Sequence, residues 1–221
     1  MLQFRIERQR FPPPPVRDGK AMTEAKAVGA EGEALRANAY SLLGALLGRP
    51  PTEEILGLLK QIEPDSGTDG RDMASVWACL RLAGERAETG PLGDEYHDLF
   101  IGIGRGEVVP YGSWYMTGFL MDRPLAVLRG DLAELGFERQ DDVKEPEDHI
   151  AALCEIMAML IANEEHDIAV QRRFFKAHIE PWGKHFFQDL QKAKTARFYR
   201  AVGQFGEHFI DFEQKYLSLL V

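Results

Sequence analysis

Residues 145–150 read Glu-Pro-Glu-Asp-His-Ile, so three carboxylates and an imidazole stand directly before a strongly apolar stretch. Proline suits the first position of a helix, where its missing N–H is no loss. The spacing therefore predicts a helix start with Glu145 near the N-cap and Glu147 and Asp148 in the first turn. Acidic groups there favour the helix dipole by about 0.3–1 kcal/mol each. Capping alone thus covers Pro146, Glu147 and Asp148. It does not cover His149, because a cation is disfavoured at that end. His149 is expected to be neutral and to serve as a hydrogen-bonding group. Two readings stand: a well-capped helix, or a recognition surface carrying Asp148 and His149.

A second constellation is Pro110-Tyr111-Gly112-Ser113-Trp114. Two aromatic rings in a Gly/Pro loop can form an apolar docking surface, with Ser113 as the N-cap of a following helix. The other reading tucks Tyr111 and Trp114 into the core beneath the loop.

Other chemistries lack their residues. A di-iron bundle needs Glu-x-x-His pairs on two helices, and Glu164-Glu165-His166 has the wrong spacing. His178 and His185 would share a face only if a helix ran through Pro181, so they read as satisfied core or surface histidines. Cys154 sits mid-helix on an apolar stripe, the address of an inert buried thiol. The Gly102-x-Gly104-x-Gly106 run has no Lys-Ser/Thr and no preceding strand, which weakens any reading of it as a phosphate loop.

These residues must be positioned by helices. Leu35, Tyr40, Leu42, Leu43, Leu46 and Leu47 form an apolar stripe from Glu33 onward, ended by Gly48 and Pro50-Pro51. Short helices follow around Ile55–Ile62, Met73–Leu80 and Leu92–Phe100, with a turn at Pro64-Asp65-Ser66-Gly67. The glycine-rich stretch 101–113 predicts a long loop. Helical pattern resumes near Trp114 and runs to Leu135, with Gly136 as a stop. A polar hinge, Glu138 to Lys144, comes next. Ile150, Leu153, Cys154, Met157, Leu160 and Ile161 then keep a near-ideal helical period, and stripes at 174–190 and 198–216 complete the chain. Strand-like alternation is nearly absent. The expected fold is all-α, a single globular domain of about ten helices. It divides into a flexible tail 1–30, an N-terminal part 31–140 and a smaller C-terminal part 141–221, joined at a hinge. Met22-Thr23-Glu24 would be a natural start, so residues 1–21 read either as an over-long start or as a genuine tail.

The 26 basic and 35 acidic side chains leave a net charge of −9, which repels phosphate backbones and argues against nucleic acid. Cys79 and Cys154 both look like small core residues, and nothing suggests an oxidising compartment. No apolar run approaches the length of a membrane span. The charged, Pro-rich start has no apolar signal core. A cytoplasmic location is expected.

Three blocks in order carry a family resemblance. Glu145-Pro146-Glu147-Asp148-His149-Ile150 resembles the Glu-Pro-x-Asp-His signature of the TorD/DmsD redox-enzyme maturation chaperones, distant relatives of NarJ. Tyr96-His97-Asp98-Leu99-Phe100 with Pro110-Tyr111-Gly112-Ser113 resembles that family's Tyr-x-x-Leu-Phe…Pro-Tyr-x-Ser segment. Phe174 to Trp182, with Phe186 and Phe187, is similar to a third block. The resemblance covers about residues 33–217. It implies a non-catalytic chaperone that binds the twin-arginine signal peptide and the apo form of a molybdenum-cofactor oxidoreductase, holding it until cofactor insertion and before export. It places Glu145, Pro146, Asp148 and His149 at the peptide site, with Tyr111, Ser113 and Trp114 opposite. Asp148 would pair with a leader arginine and His149 with peptide backbone. The resemblance implies a monomer or a domain-swapped dimer; no cofactor and no metal are expected. It also brings a suggestion of guanine nucleotide (GTP) binding, which no motif in this chain supports. The alternative is a nucleotide-dependent switch or enzyme using the Gly-rich loop and the Asp148/His149 pair.

Overall fold

The computed structural model describes residues 4–6, 23–63, 71–140, 143–163 and 166–219. Among these the chain forms ten α-helices, a π-helical turn and two three-residue strands. Of the tail expected over 1–30, residues 4–6 form a strand and 23–30 are helical, while 1–3 and 7–22, like the turn at 64–67 and Glu164-Glu165, lie outside the described residues. Helix α1 runs Thr23–Gly48, ten residues further toward the N-terminus than the apolar stripe. Helices α2 (Glu53–Lys60), α3 (Arg71–Arg86) and α4 (Thr89–Tyr96) follow, and α4 continues into the π-turn His97–Ile101.

The single helix expected from Trp114 to Leu135 is two. Helix α5 spans Gly112–Thr117 and α6 spans Arg123–Glu134. Gly118 ends α5 in the left-handed region (φ 82°), a conformation that stops a helix. Gly136 follows α6 in the same way (φ 74°). The polar stretch after it begins as a strand, β2 (Phe137–Arg139), paired antiparallel with β1 (Phe4–Ile6) so that Arg5 lies opposite Glu138. Helices α7 (Ile150–Ala162), α8 (Ile168–His178), α9 (Gly183–Lys192) and α10 (Phe198–Leu219) complete the order.

Helix α7 is apolar almost all round, and only a central position suits such a helix. From Ile150 to Ile161 only Glu155 and Met159 are less than fully buried. It lies along α1, and one core joins residues before 140 to residues after it. Cys154 is buried there and burial pushes its thiol up, which keeps it inert. Cys79 is not a core residue: α3 buries Val76 and Leu80 and leaves Cys79 exposed, and both cysteines are free.

Helix α10 closes the other side. Phe205 stacks on Phe209 (5.9 Å, 8° between planes), and Tyr40 of α1 meets Phe209 edge-on at 4.7 Å. Where α10 crosses α9, a Cβ on Gly206 would lie 2.2–2.5 Å from three ring carbons of Phe187. Phe187 is fully buried and cannot swing aside. Gly206→Ala would gain up to about 1 kcal/mol of helix propensity but overpack this crossing by about 1–3 kcal/mol. The clash wins, and a lower urea midpoint is expected; an unchanged or higher one would show that α9 yields easily.

A buried ionic cluster ties the helices together. Arg36 of α1 is 2% exposed and Glu213 of α10 is 0% exposed, and they pair in a fork at 2.6 and 2.8 Å. Tyr40 Oη also donates to Glu213 (3.1 Å), while Arg36 reaches Glu33 (2.9 Å) and Gln171 of α8 (2.9 Å).

Candidate functional site

The two sequence constellations meet. Residues 110–112 run antiparallel to 148–150, bridged at Tyr111 and His149. Ile150 N–H donates to Pro110 O and Gly112 N–H to Asp148 O, both at 2.9 Å. The signature is therefore fixed to the loop by backbone, with side chains adding to the seam.

His149, not Glu145, is the N-cap of α7. Its Nδ1 accepts from Ala151 N–H at 3.1 Å. Pro146 accordingly lies outside the helix, with its carbonyl accepting from His149 N–H (3.2 Å). Burial pushes the His149 pKa down to about 4, against the upward pull of Glu145 and Asp148. The ring is neutral, as expected. With Nδ1 accepting, Nε2 carries the proton and is a donor.

Asp148 is 3% exposed. Its Oδ2 accepts from Ser113 N–H at 2.7 Å, while Oδ1 is buried with no partner. Ser113 is not an N-cap: Tyr111 holds that place, and Ser113 lies inside α5, fully buried. Its Oγ instead accepts from Met121 N–H at 3.1 Å. Tyr111 is half-buried, and its hydroxyl donates to the carboxylate of exposed Glu145, which with burial raises the phenol pKa. The Tyr111 and His149 rings meet edge-on at 5.1 Å.

Trp114 is half-buried beside a cleft of about 360 Å³, with Arg105 over its ring at 5.2 Å. A larger cavity of about 930 Å³ lies elsewhere, between α3, α4 and the start of α10, and contains none of the signature residues.

Glu147, read only as a helix-dipole acid, is buried and structural. Arg129 of α6 grips its Oε2 at 2.9 Å, and Arg139 of β2 approaches Oε1 at 3.6 Å and donates to Glu145 O at 3.2 Å. Spacing could not reveal these arginines, since neither shares an element with the signature.

The loop glycines have a packing role. A Cβ on Gly106 would lie 2.4 Å from Leu99 O, and one on Gly102, at φ 60°, 2.4 Å from Arg105 O. Among the described residues no three His, Cys, Asp or Glu side chains gather as a metal site. His178 bonds Asp131 at 2.6 Å, and α8 ends there, so His185 does not join it. No helix of the described residues is long and apolar enough to cross a membrane.

Residues 68–188 match the family described as the nitrate reductase delta subunit, more than half of the chain. The chain belongs to this family of redox-enzyme maturation chaperones, TorD and DmsD among them. It is 27% identical over 203 residues to the chaperone protein TorD of Vibrio atlanticus, covering 83% of this chain and 94% of that one. It is 32% identical over 113 residues to a probable Tat proofreading chaperone DmsD of Haemophilus influenzae, covering 49% of this chain and 53%, about half, of that relative. A putative redox enzyme maturation protein from Archaeoglobus fulgidus shares the fold, with a TM-score of 0.53 at 17% identity over 81% of this chain and 94% of that one. The TorD and DmsD relatives are named as chaperones, a non-catalytic family, and the chain is not an enzyme.

Proposed function

We propose that this chaperone acts in the cytoplasm on a molybdenum-cofactor oxidoreductase, binding its twin-arginine leader and apo form until the cofactor is inserted and export can follow. The observation that carries this reading is the seam itself. The loop at 110–114 and the signature at 145–150 are bridged at Tyr111 and His149, with exposed Glu145 bonded to half-buried Tyr111 and half-buried Trp114 three residues further on, in α5. A leader is basic and then apolar. A carboxylate beside aromatic rings complements that order, and the net charge of −9 attracts the basic end from a distance. The Haemophilus relative is named a Tat proofreading chaperone, which agrees with a twin-arginine partner.

Burial divides the roles of the two acids. Asp148 is engaged with Ser113 and almost closed to solvent, so it positions the loop. Glu145 is exposed and is the carboxylate we assign to a leader arginine, in place of Asp148. Asp148→Asn keeps an acceptor for Ser113 N–H and should leave leader affinity within about threefold, whereas Asp148→Ala leaves that N–H orphaned and should destabilise by about 1–3 kcal/mol. Glu145→Gln should weaken binding by up to about fivefold and flatten its salt dependence, as an exposed pair does. Calorimetric titration of leader into the three variants at two salt concentrations checks this. Loss of salt dependence in Asp148→Asn with none in Glu145→Gln would reassign the arginine to Asp148.

A further inference from the structure

The turn joining α5 to α6 exposes an unusual amount of apolar side chain. Met116, Phe119, Leu120 and Met121 are 44, 71, 49 and 69% exposed, and Val127 on α6 adds 54%. Single exposed apolar residues are ordinary, but four within residues 116–121 form a patch of the kind that marks interaction sites. Methionine adds adaptability to such a surface.

The backbone beneath is held in an unfavourable shape. Met121 has φ 58° and is the only non-glycine residue with positive φ among those described. An L side chain is strained there. Met121 N–H donates to Ser113 Oγ (3.1 Å), Thr117 Oγ1 donates to Ser113 O (2.9 Å), and Phe119 N–H donates to Thr117 Oγ1 (3.3 Å). Ser113 is itself fixed by Asp148 Oδ2. A continuous line of hydrogen bonds thus runs from the signature acid to the turn, and it turns Met121 outward where burial would ordinarily be favoured.

Charge selects the occupant. A second copy would bring another net charge of −9, whereas a leader brings positive charge followed by an uncharged apolar stretch. Exposed Glu145 is bonded to Tyr111 on the same loop whose Ser113 holds Met121 of the apolar turn.

We propose that Met116, Phe119, Leu120 and Met121 are the seat for the apolar stretch of the client's leader, and that Asp148 and Ser113 are positioning residues that hold this seat in shape. This rests on the leader-binding reading above.

The test is calorimetric titration with a synthetic twin-arginine leader of a molybdoenzyme and with a version whose apolar stretch is replaced by serines. Phe119→Ser and Met121→Gly should each weaken binding of the intact leader about tenfold. Neither should change affinity for the serine version, so the losses are not additive. Met121→Gly should also keep or raise the thermal midpoint, because glycine accepts the positive φ; weaker binding by a more stable protein cannot come from misfolding. If the wild type binds the leader and both variants bind it equally well, the seat lies elsewhere and only this inference fails. If the wild type binds no leader, the leader reading fails and the occupant with it. If the wild type is a dimer that Phe119→Ser converts to monomers with leader affinity unchanged, the patch is an interface between copies and the inference is overturned.

Discussion

Glu213→Ala is expected to lower stability by about 3–5 kcal/mol, because it strips a buried cation of its partner. Arg36 would keep Glu33 and Gln171, but it would lose both arms of the fork to Glu213. Tyr40 would lose its acceptor in the same step. For a chain of this size that corresponds to a thermal midpoint lower by roughly 6–20 °C. The pair need not be stabilising relative to a well-packed apolar replacement. Arg36→Met combined with Glu213→Leu should therefore recover most of the loss. Thermal and urea unfolding of the single and double variants measure both quantities. Additive losses would mean that the two side chains are independent, contrary to the fork.

The second large effect is a loss of stability in mild acid centred on His149. In the unfolded chain a histidine titrates near 6.5. In the fold burial holds it at about 4, although Glu145 and Asp148 oppose that shift. Between those values the unfolded chain binds a proton that the native chain does not, so stability falls as pH falls. The contribution is full above about pH 6.5 and is lost toward pH 4, amounting to about 3 kcal/mol. Protonation would also end the acceptance at Nδ1 and place a cation at the start of α7. His178, likewise depressed by burial against the pull of Asp131, acts in the same direction. His149→Asn retains a good N-cap without the titration. The stability gap between wild type and His149→Asn should shift by about 3 kcal/mol in favour of the variant between pH 7 and pH 4. A constant gap would show that His149 titrates alike in both states.

Helix periodicity exposed most of the fold. The 150–161 pattern marks the body of α7 (Ile150–Ala162) because an apolar face repeats every 3.6 positions, and the aromatic stripe of α10 is equally regular. Interruptions were less legible. The break at 118–122 depends on a left-handed glycine inside a run that is otherwise helix-compatible, and β2 is too short to show alternation. The candidate site was legible as types and spacing but not as roles. A histidine is not among the preferred N-caps, so residue types point to a cap four residues early, at Glu145. Ser113 looked like a cap by composition, yet it serves as a relay because Asp148 and Met121 meet it from distant parts of the chain. Arg36 and Glu213 are 177 residues apart, beyond any local pattern.

The most direct measurement is titration of the purified chaperone with twin-arginine leaders of molybdoenzymes from the same organism, alongside the same leaders with both arginines changed to alanine. Leader recognition at the 110–114 and 145–150 seam predicts tight binding of one leader, weakened markedly by the double alanine change and by raised salt. Equal affinity for the arginine and alanine forms, or binding of neither, would contradict it.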